Sequence, residues 1–108
     1  GEEPDPGIGG RRGRTPVYLA AERGHLDVAK LLLEHGANPN VVTSDGFNPL
    51  YVTSQLGHVG ISRALLEHGA EVDLPVRTVT PLQAAAEAGH ADAVRVLLEH
   101  GAKVDLAS

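Results

Sequence analysis

The apolar positions of this chain recur in blocks. A leucine pair stands at Leu32-Leu33, Leu65-Leu66 and Leu97-Leu98, each time followed by Glu-His-Gly-Ala. A Gly-His step stands at Gly24-His25, Gly57-His58 and Gly89-His90. A polar residue precedes proline at Thr15-Pro16, Asn48-Pro49 and Thr80-Pro81. Equivalent positions lie 33 and then 32 residues apart, so residues 15–105 read as three copies of one unit. A period of this size marks a repeat architecture, in which neighbouring units bury one another's apolar faces.

Each unit predicts two short helices. Thr15 can accept a backbone hydrogen bond as an N-cap, and Pro16 suits the first helical position, where a missing N–H costs nothing. This helix runs through Ala20-Ala21, small residues that permit close approach of a second helix, and stops at Gly24, which tolerates the left-handed conformation. A second helix is expected from about Leu26 to His35, with Asp27 in its first turn, where negative charge suits the dipole, and Gly36 as its stop. Units two and three repeat this over Asn48–Gly69 and Thr80–Gly101. The joining stretches, Ala37–Phe47 and Ala70–Val79, are rich in Asn, Asp, Pro and Val and suit extended turns or β-hairpin loops. The result is an all-α solenoid with repeats at about 11–40, 41–73 and 74–105, within a domain spanning 11–108. Residues 1–10, Gly- and Pro-rich, read as a flexible linker or cloning remnant.

Composition narrows the chemistry. Apolar residues are 42% of the 108, enough for a core. Aromatic residues are only Tyr18, Phe47 and Tyr51, so Leu, Val and Ala must do the packing. With no cysteine there is no disulfide, thiolate zinc site or thiol nucleophile. The net charge of −5 and the absence of a polycationic segment disfavour nucleic acid and anionic membranes as partners. No apolar run reaches the roughly 18–20 residues that span a bilayer. The acidic, Gly/Pro-rich Gly1–Gly10 is unlike a signal peptide. A cytoplasmic or nuclear location is the expectation.

The unit closely resembles the ankyrin repeat, whose pattern here stands as Thr15-Pro16-Val17-Tyr18-Leu19-Ala20-Ala21-Glu22-Arg23-Gly24-His25 followed by Leu32-Leu33-Glu34-His35-Gly36-Ala37. The resemblance covers roughly residues 10–105. There are departures. The family's histidine after Thr-Pro-Leu is replaced by Tyr18, Tyr51 and Gln83; Asn48 stands for Thr, and Thr53-Ser54 for Ala-Ala. Unit three is one residue short before Thr80 and lacks the hairpin glycine that Gly13 and Gly46 supply.

No constellation supports catalysis. His25, His35, His58, His68, His90 and His100 occupy two repeat positions, at the start and in the last turn of the second helix, which favours structural roles over metal ligation. Glu34, Glu67 and Glu99 recur on a solvated face. Ser44, Ser54 and Ser62 lack a nucleophile elbow. The stretch Gly7–Gly13 has Arg12 where a dinucleotide-binding loop needs glycine, and no strand precedes it. The chain is therefore expected to be no enzyme and to need no cofactor or metal.

The resemblance implies a binding module, a scaffold or adaptor that meets a protein or peptide through hairpin tips and the exposed face of each first helix. The tip positions are Arg11, Arg12, Arg14, Ser44, Asp45, Phe47, Arg77 and Val79. The helix positions are Tyr18, Glu22, Arg23, Tyr51, Gln55, Leu56, Gln83 and Glu87. The two tyrosines are expected either to stack along this surface or to pack within their own repeats, while Phe47 and Leu56 are expected to be contact residues. The alternative is an engineered ankyrin-type binder or scaffold. Neither end unit carries the polar outer face of a cap, since Leu19, Val28 and Leu31 in unit one and Ala91, Val94 and Val96 in unit three stay apolar. Further repeats, a partner or another copy is expected to cover an end.

Overall fold

The computed structural model describes residues 13–105. Six helices follow in order: α1 (Pro16–Arg23), α2 (Leu26–Glu34), α3 (Pro49–Leu56), α4 (Val59–Glu67), α5 (Pro81–Ala88) and α6 (Ala91–Glu99). They form three helix pairs. The first helices pack in the row α1–α3–α5 and the second helices in the row α2–α4–α6. This is an all-α repeat solenoid.

Local chemistry sets the helix boundaries. The side chains of Thr15, Asn48 and Thr80 accept from the N–H of Tyr18, Tyr51 and Gln83, at 3.4, 2.9 and 3.2 Å. In unit three Gln83 returns the favour, its Oε1 accepting from the Thr80 N–H at 2.8 Å to close a capping box. Gly24, Gly57 and Gly89 end the first helices with φ of 76°, 81° and 79°, a region that penalises any residue with a Cβ. The Asn48 departure has a second use. Its Nδ2 donates to the Leu74 carbonyl at 3.2 Å, tying unit two to the loop that leads into unit three.

The joining stretches are tight loops with little strand. The loop before α3 closes with the Thr43 N–H donating to the Phe47 carbonyl at 2.9 Å, around Ser44, Asp45 and Gly46. The loop before α5 is one residue shorter. Val76 and Val79 exchange both N–H···O bonds, at 2.8 and 2.9 Å, and form an isolated antiparallel bridge. Only Arg77 and Thr78 lie between them, and Arg77 takes φ of 57° where a glycine is absent. An L-residue in that region costs about 1–2 kcal/mol, which the paired bridge must hold in place.

The core lies where the helix pairs meet, with Leu33, Leu50, Ile61, Leu65 and Leu97 at its centre. The Thr53-Ser54 departure places hydroxyls there. Thr53 Oγ1 donates to the Leu50 carbonyl at 3.2 Å and lies 2.7 Å from Ser62 Oγ, so the two side chains satisfy each other across α3 and α4. The Ser54 hydroxyl, equally buried, has no hydrogen-bond partner among the described residues. An unpartnered buried hydroxyl costs about 1–3 kcal/mol. Ser54→Ala should therefore raise the unfolding free energy by about 1 kcal/mol or more in urea titration. Thr53→Ala, which leaves Ser62 without its partner, should lower it by a similar amount.

Candidate protein-binding surface

The loop tips and the first helices lie along one side of the stack, and specific contacts link them from unit to unit. The Arg14 Nη2 lies 3.6 Å from Asp45 Oδ2, joining tip one to tip two. The same guanidinium sits 5.9 Å from the centre of the Tyr18 ring. Asp45 Oδ1 accepts from the Thr43 hydroxyl at 2.6 Å, and that hydroxyl accepts from the Phe47 N–H at 3.0 Å. The Phe47 ring meets Tyr51 at 5.9 Å with the planes tilted by 55°. From unit three the Arg77 guanidinium covers Phe47 at 5.8 Å.

The partly exposed Arg14–Asp45 pair is worth no more than about 1 kcal/mol, and each cation–π contact about 0.5–1. Their effect is geometric. Three tips separated by about thirty residues each are held in one arrangement before any partner arrives. Arg77, forced into the left-handed region by the short loop, is the residue that reaches Phe47. The lost residue of unit three thus brings tips two and three together.

The candidate residues divide by exposure. Arg23, Ser44, Gln55, Leu56, Arg77 and Glu87 are exposed. Arg14, Glu22, Asp45, Phe47, Val79 and Gln83 are half-buried, with Val79 committed to the bridge and Gln83 to the capping box. Tyr18 and Tyr51 are buried in a small cluster with Val52, Val76 and Ala84. The Tyr51 ring meets Phe47 of its own unit, and both tyrosines belong to one buried cluster whose members Val52, Val76 and Ala84 come from units two and three, so their burial is shared between units. Arg11 and Arg12 lie outside the described residues. Leu56 is 47% exposed, an apolar side chain facing solvent beside Gln55.

Burial pushes the Tyr18 hydroxyl above the ordinary tyrosine value. Nearby Glu22 adds to the rise, and Arg14 opposes it. Burial was one of the two arrangements open to this ring, because the histidine-to-tyrosine change alone does not say which way it turns.

Four of the histidines pack against backbone. His58 lies over Gly24 and His90 over Gly57, where an added Cβ would come within 2.9 Å of the imidazole. His35 and His100 place Nδ1 at 2.9 and 3.0 Å from the Leu31 and Val96 carbonyls, and so donate to the turn that precedes each. Among the described residues no group of three or more His, Asp or Glu could hold a metal. No helix among them is long and apolar enough to cross a membrane.

A family model described as ankyrin repeats (3 copies) matches residues 2–76 and 37–108. The crystal structure of the human ASB11 ankyrin repeat domain superposes with a TM-score of 0.81 at 42% identity, covering 87% of this chain and 43% of that one. The human palmitoyltransferase ZDHHC13 is 42% identical over 40 residues, which is 37% of this chain and 6% of that protein. The Arabidopsis thaliana putative E3 ubiquitin-protein ligase XBAT35 is 53% identical over 36 residues, 33% of this chain and 8% of its own length. The putative ankyrin repeat protein FPV222 of fowlpox virus is 52% identical over 31 residues, 29% of this chain and 4% of that protein. The chain therefore matches a tenth or less of the length of these curated relatives.

Folding favours the protonated Tyr18 phenol. Its stabilisation is complete below the ordinary value of about 10 and is lost as pH rises through the higher folded value. Tyr18→Phe should accordingly lose less stability than the parent between about pH 9 and pH 11, compared by denaturant midpoint at each pH.

Proposed function

Since the chain belongs to the ankyrin repeat family, whose repeats are in general protein–protein interaction modules, we propose that it is a non-catalytic scaffold or adaptor. It binds a protein or peptide through its loop tips and the adjoining ends of α1, α3 and α5. The observation that carries this reading is the linked tip surface, in which Arg14, Asp45, Phe47 and Arg77 are mutually engaged while Leu56, Gln55, Arg23 and Glu87 stand exposed beside them. A pre-ordered surface loses little conformational entropy on binding, so a modest contact area suffices. Arginine and aromatic side chains are the types that anchor such interfaces.

The relatives support a recognition role over any shared chemistry. The matched segments sit in proteins named as a palmitoyltransferase, a ubiquitin ligase and a viral ankyrin repeat protein. What these have in common with this chain is the repeat. The family fold is typically non-catalytic, and among the described residues no group of three or more His, Asp or Glu could hold a metal.

Affinity capture tests the surface. The bait is compared with a variant carrying Arg23→Glu, Leu56→Asp and Arg77→Glu, all at exposed positions, so that circular dichroism should be unchanged. A control carries Lys30→Glu and Glu67→Lys on the second-helix row. The expected result is a partner held by the parent and the control and reduced at least about tenfold by the triple variant, a loss of about 1.4 kcal/mol. Retention by the triple variant with loss in the control would move the interface to the opposite side.

A further inference from the structure

Burial along the equivalent positions of the three units shows what each face of a unit is for. Val28 and Leu31 are 48% and 57% exposed in unit one. Their equivalents are covered: Ile61 and Ala64 at 2% and 5%, Ala93 and Val96 at 0% and 2%. Those two units have a predecessor and unit one has none among the described residues. The opposite face behaves the same way. Leu33 and Leu66 are 3% and 9% exposed, but Leu98 is 42%. Ala21 and Ser54 are fully buried, but their equivalent Ala86 is exposed. Each unit thus has a leading face and a receiving face, and the two ends of the stack present one of each.

Both open faces are apolar and concave. Leu82, Ala86, Val94, Leu98 and Val104 line a groove at the receiving end. Pro16, Leu19, Val28 and Leu32 line one at the leading end.

The polar contacts between units leave matching half-sites. An imidazole covers Gly24 and Gly57, while nothing lies within 4 Å of a Cβ built on Gly89, and His25 is exposed at the other end. The Arg63 Nη1 lies 3.7 Å from Glu99 Oε1 across the joint between α4 and α6. The equivalents at the open ends are Arg95 and Glu34. Arg95 meets Asp92 of its own helix at 2.8 Å, an exposed contact that is readily exchanged. Asn40 Oδ1 accepts from the Glu71 N–H at 2.8 Å, and Asp73 Oδ1 from the Lys103 N–H at 3.3 Å. The next pair in that series is the Asp105 carboxylate and the Asn38 N–H, one at each end.

We propose that the chain stacks head to tail on a second copy of itself, the receiving face of one (Ala86, Val94, Leu98) against the leading face of the next (Val28, Leu31, Leu32). The joint continues the interface already present between its own units. The second copy is the occupant because this chain carries both complementary faces, with opposite charges at Arg95 and Glu34 in register. The contact is heterologous and leaves an open face at each end, so it propagates into longer stacks as concentration rises.

Sedimentation equilibrium on the intact chain tests this, with Leu98→Glu blocking the receiving face and Leu31→Glu the leading face. Both sites are exposed, so both variants should fold by circular dichroism. The parent should rise above its 11.3 kDa monomer mass with concentration, and each variant alone should stay monomeric. Mixed in equal amounts, the two variants have one intact joint between them and should form a dimer and nothing larger. A parent that is monomeric at all concentrations up to about 1 mM would overturn the proposal and leave the faces to a further repeat or to another protein. Self-association that persists in both single variants, or a mixture that stays monomeric, would equally overturn it.

Discussion

A two-helix unit of this kind has apolar side chains on two opposite sides and can cover neither by itself. Stacking resolves this by letting each unit serve as core for the next, so Leu65 and Leu97 vanish from solvent only because a neighbour is present. Everything else in the molecule follows from that requirement. The first helices must be thin enough to approach closely, hence Ala20-Ala21 and Ala85-Ala86. The loops must return the chain in register, hence the backbone bond from the Thr43 N–H to the Phe47 carbonyl and the paired bonds of Val76 and Val79.

The departures from a regular repeat cluster in units two and three, and each has a local compensation. Asn48 retains the cap and adds a bond to Leu74. Thr53 exchanges a hydrogen bond with Ser62, which stands where units one and three have Ala29 and Val94. The residue missing before Thr80 is absorbed by Arg77 at positive φ. Ser54 is the exception, because its hydroxyl is buried without a partner among the described residues. The loop change also bears on the proposed binding surface, since Arg77 completes the chain of contacts across the tips.

Solvent access separates the candidate surface into two kinds of residue. Phe47, Tyr51, Tyr18 and Arg14 hold the tips in place, with their aromatic area largely spent inside the molecule. Leu56, Gln55, Arg23, Ser44 and Glu87 face outward, and a partner would meet these first. In the proposed role such a surface would recognise through rigid display, with the anchoring aromatics as supports.

The repeat period, the six helices and their caps were legible in the residues themselves, because Thr-Pro, Gly-His and Leu-Leu each encode a short-range event: a cap, a left-handed stop, a buried stripe. His35, His58, His90 and His100 pack against backbone at their fixed repeat positions. Other features lay beyond a one-dimensional reading. Tyr18 and Tyr51 could equally have stacked along the surface or packed inside their units, and the choice depended on neighbours brought from other units, Val76 and Ala84 among them. The engagement of Arg14 with Asp45 and of Arg77 with Phe47 joins residues about thirty positions apart, a distance that local pattern does not span. The sequence by itself determined the units, since helix caps and apolar spacing act within one turn or two. Only the tertiary structure decided which apolar residues are covered and which remain open, because burial is a property of the neighbour as much as of the residue.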